Sequence, residues 1–114
     1  MKRSIARKWA EMLESGEIKQ AKGQLRKGDA MCCLGVLCNL HAQDNPEYAA
    51  AQKYKKYYGG NSDTPPQAVL EWAGLATDLP YTAEHPKGLA NLNDNEGYSF
   101  EQIAKIIRKH WKEL

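Results

Sequence analysis

Met31-Cys32-Cys33-Leu34-Gly35-Val36-Leu37-Cys38-Asn39-Leu40-His41 is the stretch on which the fold turns. It belongs to the longest apolar run of the chain, residues 30–38, and no charged residue lies between Asp29 and Asp44. A run this apolar is buried in almost any fold the chain adopts. Wound as a helix it is apolar on every side, so neighbours must cover it all round. Lys27-Gly28-Asp29 is a turn signal just before it. The expectation is a short strand over residues 30–32 that runs into a buried helix from Cys33 to about His41.

Upstream, residues 18–25 suit a strand. In extended form Ala21, Gly23 and Leu25 share one face, and Gln20, Lys22, Gln24 and Arg26 share the other. With the turn at residues 26–29, this predicts a hairpin whose outer face is basic and amide-rich. Gly23 inside the strand marks a bulge or a close backbone approach. Before it, residues 4–15 read as a helix with Ile5, Trp9, Met12 and Leu13 on one side. Arg7 stands at pairing distance from Glu11 and Glu14 on the other side, and Gly16 stops the helix.

Downstream, Asn45-Pro46 gives a helix cap followed by a first-turn proline, and a helix from Pro46 to about Tyr58. Pro66 opens a further helix through Ala73, closed by Gly74 with Leu75 behind it. Residues 76–88 have no period and read as loop. Residues 89–92 form a turn of helix, and residues 93–97 a turn. Ser99 and Gln102 match a capping box. Phe100, Ile103, Ile106, Ile107 and Trp111 then stripe a last helix to about Lys112. All three tryptophans, Trp9, Trp72 and Trp111, are expected around the buried central helix. The fold class read from these elements is small α+β: one mostly helical domain over residues 1–114, with four to five helices and one short antiparallel hairpin before the central helix.

The length of 114 residues suits one domain. No segment approaches the ~20 apolar residues of a membrane span. The basic N-terminal residues 1–8 are not followed by an apolar signal core, and the three cysteines are an odd number. A cytosolic protein without a disulfide framework is therefore expected. Net charge is +2, but it is unevenly spread. Residues 1–29 hold eight Lys/Arg against four Asp/Glu, residues 30–98 four against eight, and residues 99–114 four against two. The basic charge sits at the two ends of the chain. Solvated helix faces explain that excess, with a nucleic-acid footprint as the alternative.

Several pieces together resemble a family of small uncharacterised proteins encoded by bacteriophages and prophages. They are Lys19-Gln20 with Gly23, then Cys32-Cys33-Leu34-Gly35-Val36-Leu37-Cys38, then Pro66 with Glu71-Trp72-Ala73-Gly74-Leu75. The pattern closes with Leu89-Ala90, Leu92-Asn93-Asp94, Gly97, Ser99-Phe100 and Ile103-Ala104. The resemblance spans most of the chain and skips residues 42–60. It implies a phage gene product acting in the host cytoplasm. It assigns no catalytic residue.

Four candidate sites follow from the residues themselves. Cys38 and His41 are three apart on one helix face, and Cys33 stands near a helix N-terminus. A cysteine nucleophile would use Cys32 or Cys33 with His41 or His85. The plainer reading is three small buried hydrophobes. Cys32, Cys33 and Cys38 contain no Cys-x-x-Cys spacing, so no metal site is expected. Asn91, Asn93 and Asn95 are spaced like the start of a calcium loop, but Glu96 and Gln102 occupy the positions that need glycine and glutamate. Asp94 reads as a turn residue. Lys53-Tyr54-Lys55-Lys56-Tyr57-Tyr58 interleaves cations with aromatics as single-strand binders do. Finally, the outward set Gln20, Lys22, Gln24 and Arg26 suits an anion, a nucleotide or an acidic protein surface. No catalytic constellation and no cofactor motif is present. The expectation is a non-enzymatic binder of a host protein or a small anionic ligand, without membrane contact. A cysteine-dependent hydrolase or transferase and a weak single-stranded nucleic-acid binder are the alternatives.

Overall fold

The computed structural model describes residues 1–51 and 63–114, with the side chains of residues 49–51 outside the description. The central stretch forms helix α2, Cys33–Asp44, and eight of its residues are buried. Leu34, Val36 and Leu37 have no exposed surface at all. Their removal from water is the main favourable term at the centre of the molecule.

Helix α1, Arg3–Ser15, buries Ile5, Ala6, Trp9, Ala10 and Leu13 along one stripe. It ends at Gly16, whose φ of 75° puts it in the left-handed region. The Trp9 indole is fully buried and its Nε1–H donates to the Cys33 carbonyl at 2.8 Å, which satisfies its one polar group. Helix α6, Phe100–His110, lies along α1 and packs Ile103, Ala104 and Ile107 into the same core. The Ser99–Gln102 capping box forms in full. A 3-10 turn, Trp111–Glu113, follows.

Three shorter helices close the shell. Helix α3, Pro46–Ala51, begins as expected. Its expected continuation to Tyr58 lies outside the described residues. The Asn45 side chain turns back to the His41 carbonyl at the end of α2. Helix α4, Gln67–Ala73, ends at Gly74, and the Leu75 amide closes on the Leu70 carbonyl. Helix α5 runs Leu89–Asp94, so Asn93 and Asp94 are helical and not the turn expected. Trp72 packs on α2 through His41, at 5.2 Å between ring centroids. Trp111, expected there too, instead lines a groove with Arg3, Ala6 and Arg7 of α1.

The hairpin exists but is shorter and later than the sequence suggests. Strand β1 is Arg26–Lys27 and β2 is Ala30–Met31, antiparallel, with Arg26 opposite Met31 and Lys27 opposite Ala30. Residues 18–25 do not form a continuous strand. Only Gln20 makes a bridge, parallel, to Met31. Met31 is thus paired on both sides, donating to the Lys19 carbonyl at 2.9 Å and accepting from the Ala21 amide at 2.7 Å. Gly23 breaks the extended run with a φ of 81°. The alternation fails with it: Ala21 and Leu25 are buried as expected, while Gly23 is exposed. Among the described residues the architecture is six α-helices around one core with this two-stranded hairpin, a small α+β fold.

Candidate functional site

The segment over residues 19–27 is the expected binding face, and its geometry is set from helix α5. Asn93 has no exposed surface. Its Oδ1 accepts from Gln20 Nε2 at 2.9 Å and from the Cys33 amide at 3.2 Å. Its Nδ2 donates to the Ala21 carbonyl and to Asp94 Oδ1, both at 2.8 Å. Asp94 Oδ1 also accepts the Gly23 amide at 2.9 Å. A buried amide with all four bonds made is rigid, because each alternative leaves a polar group unpaired in a low dielectric.

This anchoring corrects the expected face. Gln20 does not point outward beside Lys22; its Nε2 is drawn inward to Asn93 and to the Tyr98 carbonyl at 2.9 Å. Lys22 is exposed, and Gln24 and Arg26 are half-buried. Arg26 leans on α2, with Nη2 3.4 Å from Asn39 Oδ1. Lys27 is exposed beside it. Among the described residues no ion pair holds Lys22, Arg26 or Lys27. The site is therefore a basic turn held at its base by amides and carrying cations at its rim. Sequence reasoning missed Asn93 and Asp94 as its supports. Leu92-Asn93-Asp94 was visible as a motif, but nothing local distinguishes a buried asparagine from one in a turn.

The cysteines occupy the core. Cys32 is 5% exposed, Cys38 1% and Cys33 0%. The Cys32 sulfur accepts the Gly35 amide at 3.4 Å and so caps the start of α2. The Cys33 thiol points to the Leu89 carbonyl at 3.7 Å. Burial pushes the pKa of all three thiols up, Cys33 and Cys38 furthest. These surroundings favour the neutral thiol over the nucleophilic thiolate. His41 is buried between Tyr48 and Trp72, with ring centroids 5.0 and 5.2 Å away. Desolvation pushes its imidazole pKa down, with Glu47 and Asp44 opposing that shift. His85 stands in the loop before α5, edge-on to Tyr98 at 5.8 Å. It lines an open cleft of about 290 Å³ together with Lys87, Asn91 and Glu96.

Among the described residues no group of three His, Cys, Asp or Glu side chains is placed to hold a metal ion. No helix among them is long and apolar enough to cross a membrane. The Lys53–Tyr58 stretch, the candidate single-strand binder, lies outside the described residues.

Neither a curated protein nor a solved structure matches the chain. A family model does, over residues 1–111. By that match the chain belongs to the family described as Domain of unknown function (DUF8296).

Proposed function

We propose that the protein is a non-enzymatic, phage-encoded binding protein that interferes with a host process, foremost a defence system, in the host cytoplasm. It does so by covering an acidic protein surface or sequestering a small anionic ligand. The observation that carries this reading is the basic turn. Its backbone is fixed through Asn93 and Asp94, so little ordering entropy is lost when Lys22, Arg26 and Lys27 engage a partner. Arg26 grips a carboxylate or phosphate with two hydrogen bonds, and the lysines add point charges. The resemblance to small phage proteins supports the setting, and the buried, protonated thiols support binding over covalent catalysis.

The test is capture from host lysate with the wild type and a Lys22→Glu, Arg26→Gln variant in parallel, followed by titration of the captured partner. A partner bound at least about tenfold more weakly by the variant, about 1.4 kcal/mol, supports the reading. Equal capture by both proteins removes the basic turn as the site.

A further inference from the structure

The geometry points to a second binding surface, a groove between α1 and the end of α6 that takes single-stranded nucleic acid. It is independent of the basic turn. The two basic ends of the chain meet here. The groove, about 180 Å³, is lined by Arg3, Ala6 and Arg7 of α1, Arg108 of α6 and Trp111 of the 3-10 turn. Ala6 is buried and forms a small floor, so the arginines and the indole stand up around it.

The charge free for an anion in this groove lies on Arg3 and Arg7, because Arg108 is met by Glu14 with Glu11 also acting on it. Glu14, expected to pair with Arg7 along α1, pairs with Arg108 of α6 instead, accepting from both its Nε and Nη2. That leaves Arg108 held in place with its Nη1 donors outside the pair. It also leaves Arg7 unneutralised: among the described residues no ion pair holds Arg3 or Arg7. These two lie one helical turn apart on the same face, about 5–6 Å between their Cβ atoms. Lys112 stands 5.7 Å from the centre of the Trp111 ring and adds to the positive rim.

Size and shape choose the ligand. Sites that enclose a small molecule run to about 300–1,000 Å³, and this groove is smaller. It seats one unit of a longer anion. Guanidiniums beside a half-buried indole match the alternation of phosphate and planar base in a single strand, where cations track the backbone and bases stack on aromatics. A duplex hides its bases from the indole.

The experiment uses the full chain and a fluorescent twelve-residue oligothymidylate, followed by anisotropy across a salt series. The wild type binds, and affinity falls with salt. Arg3→Gln with Arg7→Gln weakens binding at least about tenfold, and the log–log salt slope becomes shallower by about 1.4, two phosphates at ~0.7 each. Trp111→Leu weakens binding at least about fivefold without changing that slope, and Trp111→Phe, which keeps a ring, restores it. Lys8→Gln with Lys87→Gln removes the same charge from exposed lysines outside both the groove and the basic turn, and leaves binding near wild type. Circular dichroism melts show each variant folded. No binding of the oligothymidylate, undiminished binding by the double arginine variant, or an equal loss from the charge-matched control overturns the proposal. So does tighter binding of a duplex or of a poly-glutamate peptide in the same groove.

Discussion

Asn93 Oδ1 accepts the backbone amide of Cys33 at 3.2 Å, across 60 residues of sequence. That amide is one of the four at the start of α2 that no carbonyl within the helix can reach. Asn93 therefore supplies from α5 a partner that the N-terminal end of the central helix lacks. The same side chain holds Ala21, so the buried helix, the basic turn and α5 meet at one amide.

Asn93→Ala should lower stability by about 2–5 kcal/mol, because it orphans the buried Cys33 amide and Ala21 carbonyl at ~1–3 kcal/mol each. The urea midpoint measures it. A shift equivalent to less than about 0.5 kcal/mol, the size of a surface change, would mean that water replaces the amide there.

Gly35→Ala should cost about 1–3 kcal/mol or more, as overpacking of a tight core does. An added Cβ would stand 1.8 Å from the Leu25 carbonyl oxygen, which is backbone and cannot rotate away. Alanine is otherwise the better helix former by about 1 kcal/mol. A thermal melt that rises on substitution would show that the segment before β1 gives way freely.

His41 makes stability fall in mild acid. Burial pushes its folded-state pKa down, with Glu47 and Asp44 opposing, so on acidification the unfolded chain takes up the proton before the folded protein does. Above about pH 6.5 both states are neutral and the group contributes nothing; below it the unfolded state gains, until the folded pKa is passed. His41→Phe keeps an aromatic between Tyr48 and Trp72 and removes the proton. Chemical denaturation of both proteins at pH 7.5 and 5.5 should show the larger loss in the wild type; equal losses would place the acid sensitivity elsewhere.

Iodoacetamide at neutral pH should label no cysteine of the native protein on the timescale that labels all of them in denaturant. Each thiol is buried and its pKa is raised. Fast single labelling by intact mass would revive a nucleophilic Cys32 or Cys33.

The parts legible in the sequence are those whose cause is local. Ser99 and Gln102 satisfy each other three residues apart, Gly16 needs only its own freedom at positive φ, and the α1 stripe is a matter of spacing. The strand over residues 18–25 misled because its cause is distant. Ala21 and Leu25 are buried at alternate-compatible spacing, but Gln20 follows a hydrogen bond to Asn93, 73 residues on, and no periodicity records that. The groove was hidden for the same reason. Basic residues at both ends could be counted, but that Glu14 would choose Arg108 over Arg7 depends on α1 lying along α6.

Asp94 gives the sharpest test of how the basic turn works, because it carries none of the turn's positive charge. Its Oδ1 accepts the Gly23 amide at the apex of the segment, where φ is 81°. Asp94→Ala removes that bond and the one from Asn93 Nδ2, and leaves Lys22, Arg26 and Lys27 in place. A hydrogen bond to a charged group contributes about 1.5–3 kcal/mol, so the Gly23 amide should exchange with solvent at least about tenfold faster. Global stability should fall by less than for Asn93→Ala, since Gly23 is exposed to water and Asn93 keeps its bonds to Gln20, Cys33 and Ala21. Partner affinity through the turn should also fall, because the freed segment must be ordered again on binding, at about 0.5–1.5 kcal/mol per immobilised side chain. That result would be seen even though removing a carboxylate makes the turn more positive. If the variant bound an anionic partner more tightly than the wild type, net charge rather than a fixed geometry would govern recognition. Hydrogen exchange of Gly23 decides the structural half without any partner in hand.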